Sequence, residues 1–299
     1  MQLLKDLSRM STHALSGIGV TLSVALLYDR GNRPKCILEA KPPDLQGNGS
    51  RGKKDMQTKS PRLKLVLSFF SVWAVMLLSA VLLSVFLHEL AHGVGARLDR
   101  VHVSTGFNKV GNPNRTPDDP DFRTGMAESV LSSMFGPILT WVLAIAFTSL
   151  LHLFSRPRRS ALVINALAQI NCTLRALPVL FFLIPALMGR LHVEDEVSWG
   201  IWYVKMLLRP ELARMDIHTL AATQSQLLLS YPAVWFPSMA SLVISLACLA
   251  LTYAQSFKLW SGVLSNWRTR SFFFLLPPLV WLLSYPLLDA LDRVVRINW

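Results

Sequence analysis

Residues 63–92 read LKLVLSFFSVWAVMLLSAVLLSVFLHELAH. From 63 to 87 the run is apolar apart from Lys64 and a few serines. That exceeds the roughly 20 residues needed to cross the hydrocarbon core of a bilayer. Lipid offers backbone groups no partner, so the segment must bond internally as a helix. It ends in His88-Glu89-Leu90-Ala91-His92, an H-E-x-x-H sequence. Four residues apart on a helix, the two imidazoles share one face and can share one zinc ion. Glu89 sits one residue round, close enough to take a proton from a zinc-bound water. Zinc lowers the pKa of such a water from 15.7 to about 7, which makes a nucleophile at neutral pH. Ionisable side chains at membrane depth are costly, and they mark functional sites.

Four more apolar runs follow, at about 130–154, 161–188, 231–254 and 271–288. The whole chain of 299 residues agrees with them: 52% is hydrophobic and only 16% charged. Soluble domains carry about 25% charged residues. The mean hydropathy is +0.39. These values exclude an ordinary soluble enzyme and a wholly disordered chain. Three separated cysteines, Cys36, Cys172 and Cys248, exclude a disulfide scaffold or a cysteine-rich zinc ribbon. The net charge of +12 comes without any nucleic-acid-binding motif, so the expected partner is lipid and not nucleic acid.

The expected fold is an all-α, polytopic membrane protein with about five transmembrane helices behind a mobile N-terminal tail. Residues 1–62 read as a basic, largely disordered tail. Residues 63–200 read as a zinc-site core of three spans, and 201–299 as a surface segment plus two further spans. Within the tail, residues 15–28 are apolar but short for a span. They suit a signal peptide, a surface helix or a strand pair. With the N-terminus inside, the inner segments hold 18 Lys and Arg against 5 acids, and the remainder 12 against 13. The positive-inside rule then places the N-terminus in the cytoplasm.

An H-E-x-x-H on a transmembrane helix, Phe86-Leu87-His88-Glu89-Leu90-Ala91-His92-Gly93, resembles the site-2 protease family of intramembrane zinc metalloproteases. The next apolar helix opens with Gly136-Pro137, similar to that family's Gly-Pro element. The third carries Asn171 and Pro178, similar to its Asn-x-x-Pro stretch with a longer gap. The resemblance covers about residues 65–200. It implies a zinc endopeptidase that hydrolyses peptide bonds of transmembrane protein substrates. His88 and His92 would be metal ligands, Glu89 the general base, and Asn171 a hydrogen-bond donor to the transition state. The family's third ligand is an aspartate in Leu-Asp-Gly, which this chain lacks. Order along the chain favours Asp195, in Glu194-Asp195-Glu196. Asp289, in Leu288-Asp289-Ala290, has the better local match and is the alternative metal ligand. Glu194 or Glu196 would make a glutamate-type site. Two other functions stay open: a membrane zinc hydrolase with a glutamate third ligand acting on soluble peptides, and a non-catalytic metal-binding membrane protein.

Arg175 lies one turn after Asn171 within an apolar helix. A charge there faces the bundle interior or a wet cavity. It suits orienting a peptide carbonyl, pairing with Asp195 or Glu196, or a structural ion pair. The loop 97–124 is polar, and Val101-His102-Val103-Ser104 alternates as a short strand does. As an edge it could pair with an unwound substrate; a plain connecting hairpin is the alternative. His102, His152, His192 and His218 are scattered. Trp199, Trp202, Tyr203, Trp235, Trp260, Trp267 and Trp299 suit interfacial belts, and 197–208 suits a surface helix. Cys172 reads as an apolar packing residue.

Overall fold

The computed structural model describes residues 59–119, 122, 129–213, 215 and 217–299. The expectations for the tail, residues 15–28 included, lie outside them. Five helices are long and apolar enough to cross a membrane: α1 (Lys59–Leu98), α2 (Val130–His152), α3 (Arg159–Leu187), α7 (Pro232–Leu259) and α8 (Trp267–Val294). The chain is an all-α, multi-pass membrane protein. Between α3 and α7 lie short elements: α4 (Asp195–Tyr203), a π turn (Val204–Leu208), a 3-10 turn (Pro210–Leu212), α5 (Ile217–Thr223) and α6 (Ser225–Leu229).

The long helices follow the apolar runs, with one extension that matters. α1 does not stop where hydropathy falls; it carries on through the H-E-x-x-H sequence to Leu98. It ends in a Schellman motif. The Val101 amide donates to the Ala96 carbonyl at 2.9 Å and the Arg100 amide to Arg97 at 3.2 Å. Arg100 takes the left-handed conformation, φ 61°, that the motif requires. Val101 packs back on Ala96 to close it. Asp99 then reaches across, and its Oδ2 accepts from the Ser129 hydroxyl at 2.8 Å and the Leu131 amide at 2.9 Å. Ser129 caps α2 by accepting from the Ser132 amide at 3.0 Å. The end of α1 is thus tied to the start of α2. Gly95 lets them touch, because a Cβ there would strike the Leu131 backbone.

The main core joins α1, α3, α7 and α8 around Phe70, Trp73, Leu77, Ile170, Tyr253 and Phe273. Trp73 stacks on Phe273 with ring centres 4.9 Å apart. A second cluster sets the end of α3 (Phe182, Ala186) against Val197, Ile201 and Val204. In the stretch expected as a surface helix, 197–208, α4 runs on into the π turn. One face of that segment is buried, and Tyr203, Met206, Leu207 and Leu208 are its exposed face. Aromatic placement is mixed too, since Trp260 belongs to the main core and Trp299 packs over Gly93.

The loop after α1 holds β1 (Ser104–Thr105) and β2 (Val110–Gly111), and the chain closes with β3 (Ile297–Asn298). The order is β2-β1-β3, antiparallel on both sides. The strand therefore starts at Ser104 and not Val101. It is central, not an edge, so a substrate pairing there would have to displace β2 or β3. The alternation was legible, but the strand that covers it comes from almost 200 residues away.

Candidate metal centre

His88 and His92 project from the last turns of α1, four residues apart, and both are buried. Each ring is held by its Nδ1. His88 Nδ1 lies 3.0 Å from the Thr140 hydroxyl. That hydroxyl donates its own hydrogen to the Gly136 carbonyl at 2.9 Å, so it accepts from His88. His92 Nδ1 donates to the Ser132 carbonyl at 2.6 Å. A neutral imidazole has one N–H. With Nδ1 the donor in both rings, both Nε2 atoms present lone pairs, and these stand 3.0 Å apart.

Asp195, the first residue of α4, brings a third acceptor to the same point. Its Oδ2 is 3.2 Å from His88 Nε2 and 3.4 Å from His92 Nε2. The three residues offer ligand atoms all within 4.8 Å of one another. In a tetrahedral zinc site with bonds of about 2.0–2.1 Å, neighbouring ligand atoms stand about 3.3–3.4 Å apart. The observed separations of 3.0, 3.2 and 3.4 Å match that shape closely enough for the donor set to fit zinc.

The surroundings supply the orientation that metal ligands need. Gly136 packs flat against both rings. A Cβ there would fall 2.6 Å from His88 Cε1 and closer still to His92 Nε2. Gly136 and Pro137 lie inside α2, which begins at Val130, and so do not open it. Arg175 comes from α3, buried. Its Nη1 donates to Asp195 Oδ2 at 3.3 Å and to Glu196 Oε1 at 3.3 Å, and its Nη2 to His88 Nε2 at 3.4 Å. Glu196 also accepts from the Ser241 hydroxyl at 2.8 Å, and Ser241 accepts from Trp141 Nε1 at 3.0 Å. The fourth long helix is thereby part of the site's support.

The other sequence candidates fall elsewhere. Glu89 is buried beside His92 and within electrostatic reach of Arg296. Asn171 sits one turn below Arg175. Its Nδ2 donates to Ser84 at 3.0 Å and to the Leu167 carbonyl at 2.8 Å, which uses both amide hydrogens. So placed, it ties α3 to α1 and has no hydrogen left to give a substrate. Asp289 is far from the histidines in its bonding: Lys109 Nζ donates to it at 2.7 Å and Arg293 at 3.3 Å. Glu196 is committed to Arg175 and Ser241, and Glu194 pairs with His192 at 3.1 Å. Sequence reasoning did not single out Thr140, the Ser132 carbonyl, Ser241 or Trp141. The one signal for Thr140 is its place a turn after Gly136, on the same face of α2.

No family model, no curated protein and no solved structure matches the chain.

Proposed function

We propose that this protein is an intramembrane zinc metalloendopeptidase, a hydrolase of peptide bonds in transmembrane protein substrates. The observation that carries the reading is the convergence of two Nε2 lone pairs and one carboxylate oxygen, with both Nδ1 atoms committed to other partners. The Arg175 guanidinium faces two of these three electron-rich atoms from the side, and a cation between them would engage all three. In this reading His88, His92 and Asp195 hold the zinc and leave its fourth position open, as catalytic sites do. Bound there, zinc supplies a Lewis acid and lowers the pKa of water to about 7.

The chain's own residues do the rest. Glu89 takes the proton of the attacking water on its carboxylate and returns it to the nitrogen of the leaving amine. Thr140 and the Ser132 carbonyl keep the two imidazoles in the ligating tautomer. Arg175 holds Asp195 in place, and Glu196 with Ser241 holds Arg175. A helical substrate keeps its peptide bonds in internal hydrogen bonds, so it unwinds locally before attack. The N-terminus is assigned to the cytoplasm on the charge of the loops.

The test is zinc content and cleavage of a transmembrane substrate, for wild type and Glu89→Gln. Stoichiometric zinc in both, with cleavage only in the wild type, is the expected pair of results. Unchanged proteolysis by Glu89→Gln would remove the mechanism. A folded wild type that takes up no zinc when it is supplied would remove the metalloenzyme reading altogether.

A further inference from the structure

α3 and α7 run antiparallel, and their facing surfaces carry an unexpected line of polar side chains. On α3 it comprises Asn165, Gln169 and Cys172, ending at Arg175. On α7 it comprises Ser256, Thr252, Cys248 and Ser245, ending at Ser241. Each set recurs every three or four residues, so each lies on one helix face. At one end the Ser256 hydroxyl donates to Asn165 Oδ1 at 2.9 Å. At the other, Arg175 and Ser241 meet on Glu196. Midway the Cys172 and Cys248 side chains meet, with Ala144 of α2 beside them. Both are free thiols and both are buried, Cys172 at 0% exposure and Cys248 at 8%.

A second observation bears on access. Asn165 Nδ2, Gln169 Oε1 and Ser245 Oγ have no protein partner among the described residues. They flank the thiols on both sides. A buried polar atom left unbonded is costly, and lipid offers none of them a partner. Water is the partner that fits such atoms.

We propose that Cys172 and Cys248 form a dithiol modification site, which a small aqueous disulfide oxidises to an intramolecular bridge between α3 and α7. Cys248, the less buried, attacks the reagent first; a sulfur–sulfur bond forms to it and one reagent thiol leaves. Cys172 then attacks the Cys248 sulfur, the mixed disulfide breaks, and the second reagent thiol leaves. Two electrons pass from the protein thiols to the reagent, and their two protons end on the released thiols. The bridge would fix the spacing of the two helices whose Arg175 and Ser241 grip Glu196.

The experiment uses the full chain carrying Cys36→Ser, in lipid, with dithiodipyridine as the oxidant. Released thiopyridone is read by absorbance and the chain by intact mass. The expected result is two thiopyridones released per chain, and a chain lighter by two hydrogens that a reductant restores. Adding Cys172→Ser should leave one thiopyridyl group on Cys248. Retention of two thiopyridyl groups by the Cys36→Ser chain would show that the sulfurs cannot meet. No reaction in the folded chain, when the unfolded chain reacts, would show that nothing aqueous reaches them. Either result overturns the proposal, and neither depends on zinc or on proteolysis.

Discussion

Two clusters of charged and ionisable groups in this molecule differ in kind. In one, Asp289 and Asp292 near the end of α8 meet Lys109, Arg293 and Arg296. Asp292, fully buried, accepts from the Asn108 and Lys109 amides at 3.0 and 3.3 Å and from Arg296 at 3.1 Å. Every acid there has a donor in front of it. In the other, His88, His92 and Asp195 turn acceptors toward one another, with a single guanidinium at the side. The first is a finished structural knot, and the second is the one the proposed function reads as a cation site. Local sequence around Asp289 looked the better ligand motif, yet what decides a carboxylate's role is what it faces.

Exchanging ligands on the two sides is the strongest way to break this contrast. His92→Ala or Asp195→Asn should lower retained zinc at least roughly tenfold after dialysis against a weak chelator, while Asp289→Asn should leave it unchanged. Metal analysis of the purified variants reads the outcome. Zinc lost with Asp289→Asn but kept with Asp195→Asn would reverse the assignment of the two clusters. The reciprocal experiment is Asp292→Ala. It leaves two amides without their acceptor and the half-buried Arg296 with only Ser104 and the Lys109 carbonyl, so unfolding should become easier by about 3 kcal/mol with zinc still bound. The midpoint of thermal unfolding checks it, and zinc loss in the folded variant would mean that the knot is part of the metal site.

Much of this was legible in the residues. Five spans could be read from hydropathy because lipid leaves the backbone only one option there. The meeting of His88 and His92 could be read because it depends on spacing within a single helix. Asp195 could only be narrowed down: its meeting with α1 depends on how α3 returns and on α4 starting at that residue, and no local pattern encodes that. The partners of the imidazoles were harder still. Thr140 and Ser132 lie on α2, and they reach the histidines only because Gly95 and Gly136 let two helices touch. That β1 is paired on both sides is not legible for the same reason, since Ile297–Asn298 arrives from the far end of the chain.

Supporting residues sharpen the comparison at smaller amplitude. Thr140→Val keeps the shape of the side chain but removes the acceptor for His88 Nδ1–H, freeing the ring to turn or to change tautomer. Zinc affinity should fall about 10- to 100-fold, as measured by competition with a chromophoric chelator. Gly136→Ala should fall in the same range or below, because its Cβ has to displace both rings. An affinity unchanged by both would mean that the rings are held by the metal alone.

Ser241→Ala probes the outermost layer and should give the smallest effect. It removes one donor from Glu196 and the acceptor of Trp141 Nε1, while both Arg175 contacts to Glu196 remain. A single hydrogen bond to a charged group contributes about 1.5–3 kcal/mol, and part of it is recovered when Arg175 settles closer. Only the share that moves Asp195 can reach the zinc, so a loss in affinity below about tenfold is expected, alongside a measurable fall in unfolding midpoint. The reason for testing so small a term is its origin on α7. If Ser241→Ala lowers stability and zinc affinity together, the fourth long helix supports the site through Glu196. If it lowers stability alone, the first three long helices and α4 hold the metal ligands unaided, and the grip on Glu196 serves only the packing of the bundle.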